Sequence, residues 1–292
     1  MKILILGGDG MIGHKMVQVL GAQNHEIVIS VREKRELSLK SFSSKSKVFF
    51  NDFLKENVLN FLDKVNPDVI VNAIGVTIRR GAAENIADTI YLNSFFPHLL
   101  ANWSDIHNKR LIHFSTDCVF SGSEGSYSED AIPNALDYYG KTKGLGEVFS
   151  KNALTLRSSM IGPELFNKTE LFEWIINNKE TEISGFSRVM YSGVTTVYMA
   201  SLIADLIENY KDLSGIYNIA SNPISKFELL HLINDNFDLG LVINKDQSII
   251  SNKTLDASKK ENKLGIKSPS WNELIIELKK DYMDFIDLYK TK

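Results

Sequence analysis

The chain has 292 residues, with 33 Lys and Arg against 36 Asp and Glu for a formal net charge of -3. That length suits one large domain, or a nucleotide-binding domain with a smaller partner, and the charge balance excludes a general nucleic-acid or membrane-surface role. A single cysteine, Cys118, excludes an internal disulfide framework and predicts a reducing, cytoplasmic setting; the six histidines are scattered, so no metal site is predicted.

Residues 2–6 are a β-branched and leucine run that predicts a buried strand. The run stops at Gly7, short of a signal-peptide core of about 7–15 apolar residues, and no stretch approaches the ~18 of a membrane span. The strand leads into Gly7-Gly8-Asp9-Gly10-Met11-Ile12-Gly13, and residues 11–20 follow with helical spacing. Strand, glycine turn and helix in that order are the context of a dinucleotide fingerprint. Glycines let the backbone approach a pyrophosphate, and the helix N-terminus offers N–H groups and a positive dipole end. Cofactor contacts are therefore expected from Gly7, Asp9, Gly10, Met11, Ile12 and Gly13, although the spacing is Gly7-x-x-Gly10-x-x-Gly13 rather than G-x-G-x-x-G.

Residues 26–31 predict a second strand. An acidic residue at its end would hold a ribose diol and favour NAD; here Ser30 and Val31 are followed by Arg32, and a guanidinium suits a 2′-phosphate. NADP(H) is expected, with NAD(H) the alternative because Glu33 adjoins. The competing reading of Arg32 is a solvated loop cation. Residues 48–50 predict a third strand, then Asn51-Asp52-Phe53. Asp52, with Phe53 beside it, either meets the adenine amino group or caps a helix over 54–65. Residues 68–71 predict a fourth strand, leading into Asn72-Ala73-Ile74-Gly75, whose small residues admit a nicotinamide half. Residues 83–103 are helical in pattern and contain Asn93. Residues 110–115 predict a fifth strand running into Ser115-Thr116-Asp117. A hydroxyl at the carboxyl end of a parallel strand is where open α/β sheets meet ligands; a turn hydroxyl is the competing reading for Thr116.

A loop over 121–134 precedes Asp137-Tyr138-Tyr139-Gly140-Lys141-Thr142-Lys143. Tyr139 and Lys143 lie one helical turn apart on one face, a spacing no other tyrosine shares with a lysine. A phenol ionises near pH ~10. An adjacent ammonium is expected to lower that value and make Tyr139 a general acid toward a carbonyl oxygen. Residues 153–156 predict a sixth strand. After Arg157 the alternation loosens, with an amphipathic stretch at 165–177, an irregular one at 183–191, helices at 196–209, 225–236, 256–262 and 272–289, and a strand at 215–220. The expected fold is α/β: a Rossmann-type doubly wound parallel sheet over residues 1–158, rejoined by a helix and strand at about 193–220. Residues 159–292 are expected mainly to form a small substrate lobe.

The glycine turn, Asn72-Ala73, Ser115-Thr116 and Tyr139-x-x-x-Lys143 together resemble the extended short-chain dehydrogenases/reductases. Ser115-Thr116-Asp117-Cys118-Val119-Phe120-Ser121-Gly122, Glu129-Asp130-x-x-Pro133, Tyr139 to Glu147, Leu264-Gly265-Ile266 and Pro269-x-Trp271 resemble more closely the nucleotide-sugar 4-ketoreductases typified by dTDP-4-dehydrorhamnose reductase. The likeness spans nearly the whole chain. It implies that Tyr139 protonates the sugar C4 oxygen and Thr116 hydrogen-bonds it. Lys143 would hold the nicotinamide ribose and lower the Tyr139 pKa, and Asn93 would lie near the nicotinamide half. It further implies that Val76, Thr77 and Asp117 line the sugar pocket, that Gly193-Val194-Thr195 touches the nucleotide sugar, and that Arg188 meets the diphosphate.

Two positions depart from the pattern. Cys118 stands where these reductases carry Tyr, and Met160 where they carry an aromatic, both facing the sugar. The implied activity is NAD(P)H-dependent reduction of a 4-keto-6-deoxy nucleotide sugar for surface polysaccharide. The two departures admit a 2-acetamido sugar or a UDP carrier; the sequence leaves the oligomeric state open, a homodimer among the assemblies it allows. Two rivals share the fold. One is an epimerase or dehydratase, for which Asp117 supplies one acid but no Glu adjoins it. The other is a non-catalytic NADP-binding subunit like the regulatory subunit of methionine adenosyltransferase.

Overall fold

In the computed structural model, residues 1–36, 42, 46–77 and 85–290 are described. Seven parallel strands form the central sheet: β1 (Lys2–Leu6), β2 (Glu26–Val31), β3 (Lys47–Phe50), β4 (Val69–Asn72), β5 (Arg110–Ser115), β6 (Ala153–Arg157) and, from far along the chain, β11 (Gly215–Asn218). Their order is β3-β2-β1-β4-β5-β6-β11, and every neighbour pair is parallel. The order reverses beside β1, so the crevice at its carboxyl end, between the loops after β1 and β4, is where an open α/β sheet binds ligand.

Side-chain alternation builds the layers. Ile3 and Ile5 of β1 face α1 (Met11–Gly21) and α7 (Thr196–Asn209), meeting Met16, Leu20, Met199 and Ile203. Leu4 and Leu6 face the other way, toward Val58 and Leu62 of α2 (Val58–Val65) and Phe96 and Leu100 of α4 (Phe96–His107). Each such side chain is fully buried or nearly so, a contribution of about 1.5–3 kcal/mol apiece before chain entropy is set against it.

The helix expected over 54–65 begins only at Val58, because Asn57 supplies its cap by accepting from the Leu59 N–H at 2.8 Å. Asp52 does not cap it. Its carboxylate accepts from the Leu54 N–H at 3.3 Å and pairs with Lys55 at 3.0 Å, closing a separate turn. Of the helix expected over 83–103, residues 83 and 84 lie outside the described residues. The remainder divides into α3 (Ile86–Ile90), one π turn at Tyr91–Phe95, and α4. Pro97 has no N–H for the Asn93 carbonyl, and the Phe96 N–H reaches back to Tyr91, widening the helix there. Asn93 sits in that widened turn.

Tyr139 and Lys143 lie on α5 (Tyr138–Leu145). Beyond β6 the chain adds small pairings: β7 (Met160–Ile161) with β10 (Val194–Thr195), and β8 (Glu182–Phe186) with β13 (Val242–Asp246). β9 (Val189–Tyr191) lies between β12 (Ile224–Ser225) and β14 (Ser251–Asn252). The stretch read as irregular at 183–191 is thus two strands, and within the amphipathic stretch at 165–177 only α6 (Leu171–Asn177) is helical. The remaining helices are α8 (Lys226–Phe237), α9 (Ser258–Leu264), α10 (Trp271–Asp284) and α11 (Ile286–Tyr289). No helix among the described residues is long and apolar enough to cross a membrane.

Candidate active site

The glycine turn is held from both sides. Gly7 has φ +76°, open to glycine at little cost, and the Gly7 and Gly8 N–H groups both donate to the Ser30 carbonyl at 2.9 and 3.1 Å. A Cβ on Gly13 would stand 2.0 Å from the Gly7 carbonyl oxygen, so α1 rests directly on the turn. No side chain caps α1 at Gly10, which leaves its first amides to an anion. Above them opens a cavity of 620 Å³. Gly7, Asp9, Gly10 and Met11 line one wall, Arg32, Asp52 and Phe53 another, and Ala73, Ile74 and Val76 a third. Arg32 is largely exposed and lies 3.5 Å from the Glu33 carboxylate; Arg35 bonds the same carboxylate at 3.0 Å and stacks its guanidinium 4.5 Å over the Phe166 ring. The uncapped amides, the glycine floor and the guanidiniums at the far end form a donor set that fits a phosphorylated dinucleotide.

A second cavity of 340 Å³ shares Gly10, Met11, Ala73, Ile74 and Gly75 with the first. Ile12, Asn72, Thr77, Ser115, Thr116, Cys118, Tyr139, Lys143 and Met160 also line it. Asp137 caps α5 by accepting from the Gly140 N–H at 2.8 Å. Gly140 packs so closely that a Cβ would stand 2.1 Å from the Cys118 carbonyl oxygen, and this contact brings Tyr139 against the Thr116–Cys118 segment. The Thr116 hydroxyl, which lines the same cavity as the Tyr139 phenol, donates to Asp117 Oδ1 at 3.2 Å and accepts from the Cys118 N–H at 3.1 Å.

The electrostatics correct one expectation. The Tyr139 pKa is not depressed: burial pushes it up first, the ionisable neighbours Cys118 and Asp117 add to that, and Thr116 opposes it. Lys143 is not among the groups that set it; its Nζ is held on the Phe114 carbonyl at 2.6 Å. Burial lowers Lys143 to about 8, partly offset by Glu147. The phenol is thus held neutral, the form that donates a proton, above an ammonium with an unusually accessible neutral form. Burial pushes Asp117 up against the pull of Lys226 and Lys253, and burial together with Asp117 pushes the Cys118 thiol up to about 12.

Supporting groups fix the walls. Asn72 accepts from the Ile74 N–H at 3.2 Å, and its amide meets His113 Nδ1 at 3.1 Å. Asn93 is buried and lines neither cavity; it grips the Val76 backbone instead. Ser115 donates to Glu147 at 2.6 Å, and Glu147 pairs with the buried Arg157 at 2.6 and 2.7 Å.

Three expected substrate contacts are not brought to the cleft. Asp117 is buried and lines neither cavity, its carboxylate taken by the Thr116 hydroxyl at 3.2 Å. Arg188 is exposed on the strand pair beyond it and lines neither cavity, because β9 turns its backbone carbonyl to the Ser251 N–H. Thr195 is fully buried, its hydroxyl capping α7 by accepting from the Tyr198 N–H at 3.3 Å. The sequence reading missed Lys226, Glu170 and Tyr191, which line the second cavity, and 164–167 with Thr169, which close the first. Lys226 Nζ lies 3.8 Å over the Tyr191 ring. Its signal was available: Ser225 and Glu228 form a capping box that places Lys226 at the first position of a helix. Among the described residues, no group of three or more His, Cys, Asp or Glu is arranged to hold a metal ion.

The family model described as RmlD substrate binding domain matches residues 1–283. A dTDP-4-dehydrorhamnose reductase of Aggregatibacter actinomycetemcomitans is 26% identical over 76% of this chain and 74% of its own. Methionine adenosyltransferase 2 subunit beta of Rattus norvegicus is 25% identical over 94% of this chain and 88% of its own. A crystal structure of dTDP-4-dehydrorhamnose reductase from Bacillus anthracis in complex with NADP superposes with a TM-score of 0.77, at 19% identity, covering 96% of this chain and 99% of that one.

Proposed function

Because the chain belongs to the RmlD substrate-binding-domain family, we propose that it is an NAD(P)H-dependent oxidoreductase that reduces the C4 ketone of a 4-keto-6-deoxy nucleotide sugar. The observation that carries this reading is the convergence of Thr116, Tyr139 and Lys143 on a cavity continuous with the glycine-turn cleft. The bound dinucleotide supplies a hydride to the ketone carbon. Gly10, Met11 and Ile12 would hold its pyrophosphate, Arg32 its 2′-phosphate, and Asp52 and Phe53 its adenine. Asn72, Ala73, Ile74 and Ser115 bound the nicotinamide end. Lys143, whose Nζ stands on the Phe114 carbonyl at the edge of the cavity, would hold the ribose. Tyr139 O–H gives its proton to the ketone oxygen, which Thr116 orients, and the phenolate is reprotonated from solvent. One hydride and one proton thus convert the ketone to a secondary alcohol.

Val76, Thr77, Cys118 and Met160 bound the sugar, with Asp117 behind them accepting from the Thr116 hydroxyl. Lys226 takes the role first given to Arg188 and meets the diphosphate, a proposal supported by its position in the second cavity. Cys118 and Met160 leave room for a 2-acetamido group or a UDP carrier. Residues 159–292, without α7 and β11, are read as the substrate lobe. The exposed Ile90, Phe95 and Leu145 on packed helical turns, with Phe149 just beyond α5, are read as covered by a second copy, giving a homodimer that works in the cytoplasm on surface-polysaccharide precursors.

The test is a panel of dTDP- and UDP-linked 4-keto-6-deoxy sugars followed by NADPH absorbance. Oxidation with at least one substrate supports the reading, and none across the panel overturns it. Retained NAD without net cofactor consumption would favour the epimerase or dehydratase alternative, which the raised pKa of buried Asp117 supports. Co-purification with a synthetase would favour the regulatory alternative, supported by the likeness to the methionine adenosyltransferase subunit.

A further inference from the structure

The last described turn of the chain is linked to both walls of the first cavity, through His14 to Gly10 and through Lys168 to the 164–169 loop. Tyr289 is almost fully buried, its ring stacked on Tyr282 at 5.3 Å and edge-on to His14 at 5.8 Å. His14 Nδ1 lies 2.9 Å from the Gly10 carbonyl oxygen, and Nε2 lies 3.1 Å from the Tyr289 hydroxyl. A carbonyl only accepts, so Nδ1 carries the proton. Burial holds the imidazole neutral, lowering its pKa to about 3, so Nε2 carries no proton and must accept from Tyr289 O–H. The buried Lys15 completes the series by donating to the Tyr289 hydroxyl oxygen at 3.2 Å and to Asp281 at 2.5 Å. The hydrogen bonds therefore run in one direction, from Lys15 through Tyr289 and His14 to the glycine turn.

The backbone of the same residue reaches the opposite wall. The Tyr289 carbonyl accepts from Lys168 Nζ at 2.6 Å. Lys168 and Asn167 both hold positive φ, +50° and +66°, in the loop that closes the first cavity. Buried Glu164 fixes that loop by accepting from the Thr169 and Glu170 N–H groups at 2.7 and 2.9 Å. Two adjacent non-glycine residues in the left-handed region need outside support, and the Lys168 bond to Tyr289 provides it.

We propose that Tyr289 is a positioning residue for cofactor binding, a C-terminal strap whose hydroxyl fixes the glycine turn through His14 and whose carbonyl fixes the 164–169 loop through Lys168. The role rests on the dinucleotide reading of the cleft. It predicts that loosening the strap weakens cofactor binding while leaving the sugar cavity as it was.

The test compares Tyr289→Phe, which keeps the ring and removes the hydroxyl, with Lys168→Met. Tyr210→Phe is the control, because it removes a hydroxyl bond to the Leu264 carbonyl at 3.1 Å that touches neither cavity wall. NADPH affinity is measured by fluorescence without sugar. Tyr289→Phe and Lys168→Met are each expected to weaken it about fivefold to tenfold, the loss of one or two hydrogen bonds, with Tyr210→Phe unchanged. The KM for an active sugar stays within about twofold. Hydrogen exchange of the ligand-free protein adds a readout that needs no cofactor: Tyr289→Phe speeds exchange at 10–14, and Lys168→Met speeds it at 164–170. Affinities unchanged in both variants, or faster exchange confined to 286–290, would overturn the proposal. A wild-type chain that binds neither NADPH nor NADH would overturn the dinucleotide reading and with it the proposed role in cofactor binding. The exchange pattern would then still decide whether Tyr289 couples the two walls.

Discussion

Asn93 closes around Val76 from both sides: its amide donates to the Val76 carbonyl at 2.9 Å, and its Oδ1 accepts from the Val76 N–H at 2.8 Å. The same amide reaches the Thr142 hydroxyl at 3.2 Å, next to Lys143 on α5. One side chain in a π turn therefore ties the loop after β4 to the helix that carries the phenol. Asn93→Ala removes three buried hydrogen bonds and strands their partners, a cost of about 2–4 kcal/mol. The melting temperature is expected to fall, and kcat to fall more than the remaining folded fraction explains. A kcat per folded molecule equal to wild type would show the clamp to be structural only.

Tyr139→Phe removes the proton donor and keeps the ring. Turnover should drop by about 10²–10⁴, the usual worth of a positioned acid, while NADPH affinity stays within a few fold. Stopped-flow reduction and equilibrium binding measure the two separately. Equal loss in both would make Tyr139 a packing residue.

Arg32→Ala tests cofactor choice. The Arg32 side chain is 64% exposed and its partner Glu33 sits on the same loop, so its removal costs little stability. The Kd for NADPH should rise about tenfold or more, the worth of a charge-assisted phosphate contact, with the Kd for NADH nearly unchanged. An unaltered NADPH-to-NADH ratio would remove Arg32 from the cofactor site.

The buried bases set the pH behaviour. Lys143 falls from 10.5 to about 8 in the folded chain. Between those values the unfolded chain binds the extra proton, so stability rises with pH across that window. Activity moves the other way: kcat/KM should fall as pH passes about 8 and the ammonium is lost, and Lys143→Met should abolish that limb along with most turnover. His14 drops from 6.5 to about 3. The unfolded chain therefore holds more protons below 6.5, and stability is lost as pH falls from there, with a slope of up to about 1.4 kcal/mol per pH unit from this group. Melting curves at pH 7 and pH 5 check the sign.

Gly13→Ala probes the turn directly. The added methyl would meet the Gly7 carbonyl oxygen at 2.0 Å and its carbon at 2.9 Å, backbone atoms that cannot rotate away. A destabilisation of about 3 kcal/mol or more is expected, measured by denaturant unfolding; a wild-type midpoint would mean that the turn yields.

Local signals carried the parts of this molecule that local physics decides. The glycine turn, the six first strands and the Tyr139–Lys143 face each rest on spacing within a few residues, and all were legible. What escaped depended on distant partners. Lys226, about eighty residues beyond Lys143 in the chain, shares its cavity only because α8 and β9 fold back. Arg188 read as a phosphate ligand on residue type alone, and strand pairing turned it outward. The Tyr139 phenol read as acidified by its neighbour, but burial outweighs a cation already engaged with the Phe114 carbonyl. The strands at 182–186 and 242–246 pair across more than fifty residues, a distance no periodicity reports.

The last strand of the sheet has a consequence for biosynthesis. β11 covers the outer edge of β6, and it leaves the ribosome about sixty residues after β6 does. During that interval the nascent sheet presents a row of unpaired N–H and carbonyl groups, a template for pairing with another chain. Residues 1–158 expressed alone would keep that edge permanently, and such a fragment should aggregate where the longer chain stays dissolved.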